Sequence, residues 1–146
     1  GHLGQSAFLL EHLGQEVGDA PPVDLDAERA NGTFVRENAG LIRAASDLSD
    51  GGLALCAFEM AEVAKLGVAL QLSDIQSLFG EDQARYLLAC APEHADALLA
   101  RASDAGVAVS PVGRFGGDGV SFGPVSATVS DLSRLYRTAF ANVLNL

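Results

Sequence analysis

Apolar positions recur along this chain with two different periods, and each change of period marks a change of element. From Ala7 to Leu13 an apolar stripe is interrupted only by Glu11 and His12, with Ser6 placed to cap it and Gly14 to stop it, which predicts a short helix. Pro21 and Pro22 deny backbone donors, so Gly18 to Leu25 is expected to be a connecting loop. Phe34, Val35, Leu41 and Ile42 are the expected buried side of a helix over residues 26–43. A short strand over 44–48, a glycine turn at Ser49-Asp50-Gly51-Gly52 and a long apolar helix over 53–66 follow. Val68, Leu70 and Leu72 alternate with Ala69 and Gln71, the period of a half-buried strand. Tyr86 to Ala91 is continuously apolar, as expected of a central strand.

Pro92 suits the first turn of a helix that runs to about Ala105, with Ala95, Leu98, Leu99 and Ala102 on one face and Gly106 as its end. Three strands are expected over 107–115, 119–122 and 125–129, joined by turns at Gly116-Gly117-Asp118 and Gly123-Pro124. Ser130 or Asp131 then caps a last helix with Leu132, Leu135, Tyr136, Ala139, Phe140 and Val143 at helical spacing. This order of helices and strands predicts an α/β (α+β) fold, a mixed sheet sandwiched by helices. No repeat or long linker divides the chain, so residues 1–146 are expected to form one domain. It opens at Gly1 in a small-residue loop, and is expected to be a piece of a longer protein.

Composition narrows the function. Apolar residues are 49% of the chain but aromatics only 6%, so the core must be built mainly from Leu, Ala and Val. Charges interrupt every apolar stretch well before the roughly 20 residues that a spanning helix needs, so no membrane partner is expected. A formal net charge of −10 repels nucleic acid and anionic lipid. It does not repel a nucleotide held locally by amides and a metal. Cys56 and Cys90 lie in apolar surroundings and form neither a metal spacing nor a disulfide framework, which fits a cytoplasmic protein. Asn31-Gly32-Thr33 matches a glycosylation acceptor by chance.

Two segments can carry chemistry. The glycines after Asp50 let a strand turn sharply into a helix whose first amides are unpaired donors, a setting for phosphate. Asp47 and Asp50 can alternatively hold a divalent cation, and Ser49 or Asp50 can simply cap the helix. In Phe79-Gly80-Glu81-Asp82-Gln83-Ala84-Arg85, Glu81 can accept from hydroxyls or help hold a metal, Gln83 can donate and accept, and Arg85 can pair with an anion. The same segment also suits a solvated turn with an ion pair. His2, His12 and His94 make no nucleophile or metal pattern, and Ser6 is a capping residue or faces a ligand. Gly116-Gly117-Asp118-Gly119 lacks a following Lys-Ser/Thr and is expected to be a hairpin turn.

These segments resemble, in order, the large-subunit family of phosphoribosylformylglycinamidine synthase. The resemblance runs through Leu3-Gly4-Gln5-Ser6, Pro21-Pro22-Val23-Asp24-Leu25, Ala45 to Ala54 with its Ser49-Asp50-Gly51-Gly52, Glu59-Met60-Ala61, Phe79 to Arg85 and Ala91-Pro92-Glu93. The superfamily also holds aminoimidazole ribonucleotide synthetase, selenophosphate synthetase and thiamine-monophosphate kinase. Its two A-type and two B-type domains imply that this chain is the second B-type, C-terminal domain, resembling the aminoimidazole ribonucleotide synthetase C-terminal domain.

The family's reaction converts formylglycinamide ribonucleotide to the amidine, with ATP activating the amide oxygen, ammonia from glutamine displacing phosphate, and Mg²⁺ offsetting phosphate charge. The resemblance implies no catalytic residue in this chain and no metal ligand. It implies nucleotide contacts from Asp50, Gly51, Gly52, Glu81 and Gln83, in a pseudo-symmetric site that is structural rather than catalytic. The implied partners are upstream domains of the same synthase and, in the short form, separate glutaminase and small subunits. An independent nucleotide- or phosphate-binding module, or a domain of a related kinase or synthetase, is the alternative. Ser46 stands where the family usually has His, and Asp82 where it has Ser. A carboxylate at 82 would repel a phosphate.

Overall fold

The computed structural model describes residues 1–144, which divide into two compact units: residues 1–56 with 74–111, and residues 57–73 with 112 onward. In the first unit a π-helical turn, Phe8–His12, leads by the proline loop to α1, Leu25–Glu37. Asp24 starts α1 by accepting from the amides of Asp26 (3.0 Å) and Ala27 (2.9 Å), donors that the first helical turn leaves without partners. Asp24→Ala is therefore expected to destabilise the first unit by about 1 kcal/mol, read from urea unfolding.

α1 stops six residues before the expected Arg43, and Asn38 is the reason. Its side-chain amide donates to the Phe34 carbonyl at 2.9 Å, and its backbone amide donates to the same oxygen at 3.1 Å. The Leu41 and Ile42 side chains still reach the core, but from the turn and from β1 (Ile42–Asp47) rather than from a helix face. That core gathers Phe34, Leu98 and Ala102 with Leu41, Ile42, Leu88, Cys90 and Val107 around them. β1 pairs antiparallel with β3, Tyr86–Cys90, in a two-stranded sheet. The apolar run of β3 thus has one partner strand among the described residues and is not central; α1 and α4 residues pack on it through the core cluster.

α2 occupies Gly52–Ala64, and its first five residues belong to the first unit, the rest to the second. α3, Ile75–Phe79, was not anticipated, although Asp74 carries its signal: the carboxylate accepts from the Ser77 amide at 2.7 Å. Pro92 opens a 3₁₀ turn that runs into α4, Ala95–Asp104. Gly106, at φ +69°, ends α4 as expected, and the Val107 amide reaches back to the Ala102 carbonyl at 2.8 Å.

In the second unit β2 (Val68–Leu70), β4 (Gly113–Phe115), β5 (Gly119–Phe122) and β6 (Val125–Thr128) form a sheet in the order β4-β2-β5-β6. It is mixed, as expected: β2 runs antiparallel to β4 and parallel to β5. The strands are therefore shared between two sheets, and the α/β class with a mixed sheet stands. Gly116-Gly117 is not a hairpin turn, because β2 lies between β4 and β5. The loop wraps the start of β2 instead, with Gly67 donating to the Gly117 carbonyl (2.7 Å) and accepting from the Gly116 amide (2.8 Å). Gly123-Pro124 does join a hairpin, β5 to β6. β4 is shorter than expected, and Pro111, which has no donor for a ladder, lies just before it. α5, Val129–Leu144, closes the described chain, capped by the Thr128 hydroxyl, which accepts from the Asp131 amide at 3.0 Å.

Candidate functional site

The start of α2 is built on two consecutive residues in the left-handed region, Gly51 (φ +77°) and Gly52 (φ +60°), a conformation that glycine adopts without steric cost. Gly52 is buried. A Cβ there would lie 2.8 Å from the Gly80 carbonyl oxygen, 2.8 Å from the Phe79 carbonyl carbon and 2.9 Å from the Leu78 carbonyl oxygen. Close backbone approach is thus the use of this glycine, and the group approaching it is the exit of α3.

The Glu81 side chain turns inward to the same place. Its Oε1 accepts from the Gly51 amide at 2.8 Å and from the Ala7 amide at 2.9 Å, while its own amide donates to the His2 carbonyl at 3.0 Å. The carboxylate takes the Gly51 amide at this turn, and a phosphate using that donor would have to displace a group of its own sign. Ser6, 1% exposed, accepts from the Leu9 amide at 3.4 Å and so acts as a cap. Phe8 stacks on Phe79 with ring centroids 4.8 Å apart.

Asp82 continues the same tie. Both its oxygens accept from the His2 amide at 3.0 Å, and Arg85 donates to it at 3.2 Å and to the Gly80 carbonyl at 3.0 Å. Partial burial pushes the Asp82 carboxyl upward, while the hydrogen bond from the His2 amide and the Arg85 guanidinium act against it and hold the group below the usual carboxylate range. A lowered folded-state pKa stabilises the fold above the unfolded value of about 3.9 and loses that contribution as pH falls through the folded value. Acid unfolding of the protein is expected to lose part of its pH dependence below about 4 in Asp82→Asn, measured by circular dichroism during acid titration.

The other expected residues lie elsewhere. Asp50 is exposed at the turn. Gln83 is also exposed and lines, with Asp47, Glu28, Leu48, Ala84, Arg85 and Tyr86, a cleft of about 330 Å³. There the Tyr86 hydroxyl donates to the Glu28 carboxylate, and that bond, with some burial and the charges of Glu28 and Asp47, holds the phenol above its usual range. Ala84 is held at φ +60°, with its carbonyl accepting from the Asn31 side-chain amide at 2.8 Å. The five expected residues therefore separate: Gly51, Gly52 and Glu81 meet, Gln83 joins Asp47 at the cleft, and Asp50 faces solvent. Sequence reasoning missed the Ala7 and His2 amides, Asn31 and the Glu28–Tyr86 pair, since a backbone donor or a contact across 58 positions leaves no local pattern. Among the described residues, no three His, Cys, Asp or Glu side chains converge to hold a metal ion.

The family model described as AIR synthase related protein, C-terminal domain, matches residues 1–125. The chain belongs to that family. Within it, this AIR synthase related domain is 62% identical over 144 residues to phosphoribosylformylglycinamidine synthase subunit PurL of Cereibacter sphaeroides, a match covering 99% of this chain and 20% of that protein. The same subunit of Roseobacter denitrificans is 56% identical over 144 residues, again 99% of this chain and 20% of the relative. The chain thus spans about a fifth of the length of the curated relatives it matches.

Among solved structures, Thermotoga maritima PurL complexed with FGAR is similar at a TM-score of 0.73 and 20% identity, covering 91% of this chain and 26% of that one. PurL of the same organism complexed with ATP gives 0.69 and 19%, covering 91% of this chain and 24% of that one. These likenesses concern the fold. No helix among the described residues is long and apolar enough to cross a membrane.

Proposed function

We propose that residues 1–146, of which the last two lie outside the described residues, act as one domain, the C-terminal domain of a phosphoribosylformylglycinamidine synthase. What carries this reading is 62% identity over 99% of the chain to a subunit five times as long. The whole synthase is an ATP-dependent ligase of purine biosynthesis, acting in the cytoplasm. ATP phosphorylates the amide oxygen of formylglycinamide ribonucleotide, ammonia from glutamine adds to that carbon, and phosphate leaves to give the amidine. Magnesium offsets the phosphate charge during transfer. Similarity to Thermotoga maritima PurL proteins described with FGAR, ATP and ADP, and within PurLQS, supports the substrate, the nucleotide and the partner subunits.

This chain's share of that work is architectural. With Glu81 satisfying the Gly51 and Ala7 amides, Gly51, Gly52 and Glu81 hold three backbone segments together. The isolated chain given ATP, magnesium, formylglycinamide ribonucleotide and ammonia is expected to form no amidine, and the full-length synthase containing it to form amidine under the same conditions. Turnover by the isolated chain, or none by the full-length protein, would overturn the reading.

The Asp47–Gln83 cleft favours a second reading, in which the chain takes a nucleotide by itself through Gln83 beside Asp47. Calorimetry with Mg-ADP decides it: heat at millimolar ligand that is lost in Gln83→Ala supports independent capture, and no heat removes it.

A further inference from the structure

α5 is amphipathic, but none of its residues is buried. Its inner side is tied down by polar groups: the Tyr136 hydroxyl donates to Glu59 at 2.7 Å, and Arg137 Nε donates to Glu62, itself 7% exposed, at 2.9 Å. Phe58 meets the Tyr136 ring edge-on at 5.6 Å. Beyond these contacts, Leu135 (57% exposed), Phe140 (75%) and Val143 (78%) stand in solvent at helical spacing. A helix normally spends such a stripe against a core or a partner.

Three observations together select the partner. The shared family domain matches only residues 1–125, so α5 lies wholly outside it. The curated relatives are nevertheless alike over 144 residues, and four-fifths of their length falls outside that match. The charges of α5 are already committed, Arg134 to Asp131 and Arg137 to Glu62, so the stripe itself is neutral and the −10 chain has no attraction for anionic lipid. We propose that the Leu135–Phe140–Val143 face of α5 docks against an apolar surface of the synthase polypeptide outside residues 1–146. This rests on the reading that the chain is one domain of a longer synthase.

The test uses full-length synthase with a single new cysteine, either Val143→Cys on the apolar stripe or Arg134→Cys on the opposite side of the helix, labelled with a maleimide against the unmodified background. Docking predicts labelling at 143 about tenfold or more slower than at 134, at every protein concentration. Equal rates overturn the proposal. Protection that disappears on dilution assigns the face to a second copy and overturns it as well. If Val143→Cys does not fold, amide exchange of the unmodified synthase serves instead: α5 amides protected as strongly as those of α2 support docking, and α5 amides exchanging like a frayed helix overturn it. Amidine formation by the unmodified synthase is measured in parallel. A protected face without ligase activity counts against the function reading alone, and activity with an exposed face against the docking alone.

Discussion

Gly52→Ala is expected to destabilise the first unit by about 3 kcal/mol, the sum of a left-handed backbone that costs a non-glycine residue about 1–2 kcal/mol and an overpacking cost of about 1–3 kcal/mol. The second contribution is large because all three atoms within 2.9 Å of the new Cβ are backbone atoms of residues 78–80, which cannot rotate away as a side chain would. Three other glycines separate the two contributions. Gly14 has a similar φ of +63° with nothing within 4 Å of a Cβ, so Gly14→Ala should show the conformational cost alone, about 1 kcal/mol. Gly40 has neither constraint, and Gly40→Ala should be within about 0.5 kcal/mol of the parent. Gly51 has φ +77° but meets only the Leu55 side chain, and should fall between Gly14 and Gly52. Urea unfolding of the four variants gives the order directly. A Gly52 variant no worse than the Gly14 variant would mean that the exit of α3 yields easily.

Glu81→Ala should cost about 2 kcal/mol, because one carboxylate oxygen serves two amides and its loss leaves both to find water in a part-buried place. Glu81→Gln keeps an acceptor oxygen without the charge and should cost about 1 kcal/mol. A structural tie also predicts where the damage falls: the amides of Ala7 and Gly51 should exchange faster in Glu81→Ala, with the amides of β5 and β6 unchanged. Uniform acceleration would point to global loosening, and no acceleration would remove Glu81 from this role. Enhanced phosphate or Mg-ADP binding by Glu81→Gln would show that the same donors become a cradle once the charge is gone.

Much of the framework was legible because local patterns coincide with local causes. The α2 run from Leu53, the β2 alternation, the Gly106 stop and the Gly123-Pro124 hairpin each depend on residues within a turn or two of one another. The failures share a different cause. Leu41 and Ile42 have the apolar character of a helix face, but the Asn38 side chain takes the Phe34 carbonyl first and the same residues enter the core from a turn and a strand. Gly116-Gly117 has hairpin composition, yet β2, from far earlier in the chain, inserts between its two flanks. Asp82 stands where a family serine is expected, and its charge is used: it accepts from the His2 amide and pairs with Arg85.

By itself the sequence determined the class of fold, the segments that carry the family's signature, and the strongly acidic charge balance. Periodicity, turn chemistry and net charge are properties of neighbouring residues, so they survive without coordinates. Only the tertiary structure decided what the signature's groups touch. The amides that open α2 are natural phosphate donors in isolation, and nothing near them in the chain says otherwise. Glu81 reaches the Gly51 amide across 30 positions and the Ala7 amide across 74, bringing a fixed negative charge to that turn. A binding loop and a structural clasp have the same local sequence, and the difference lies in which anion arrives there.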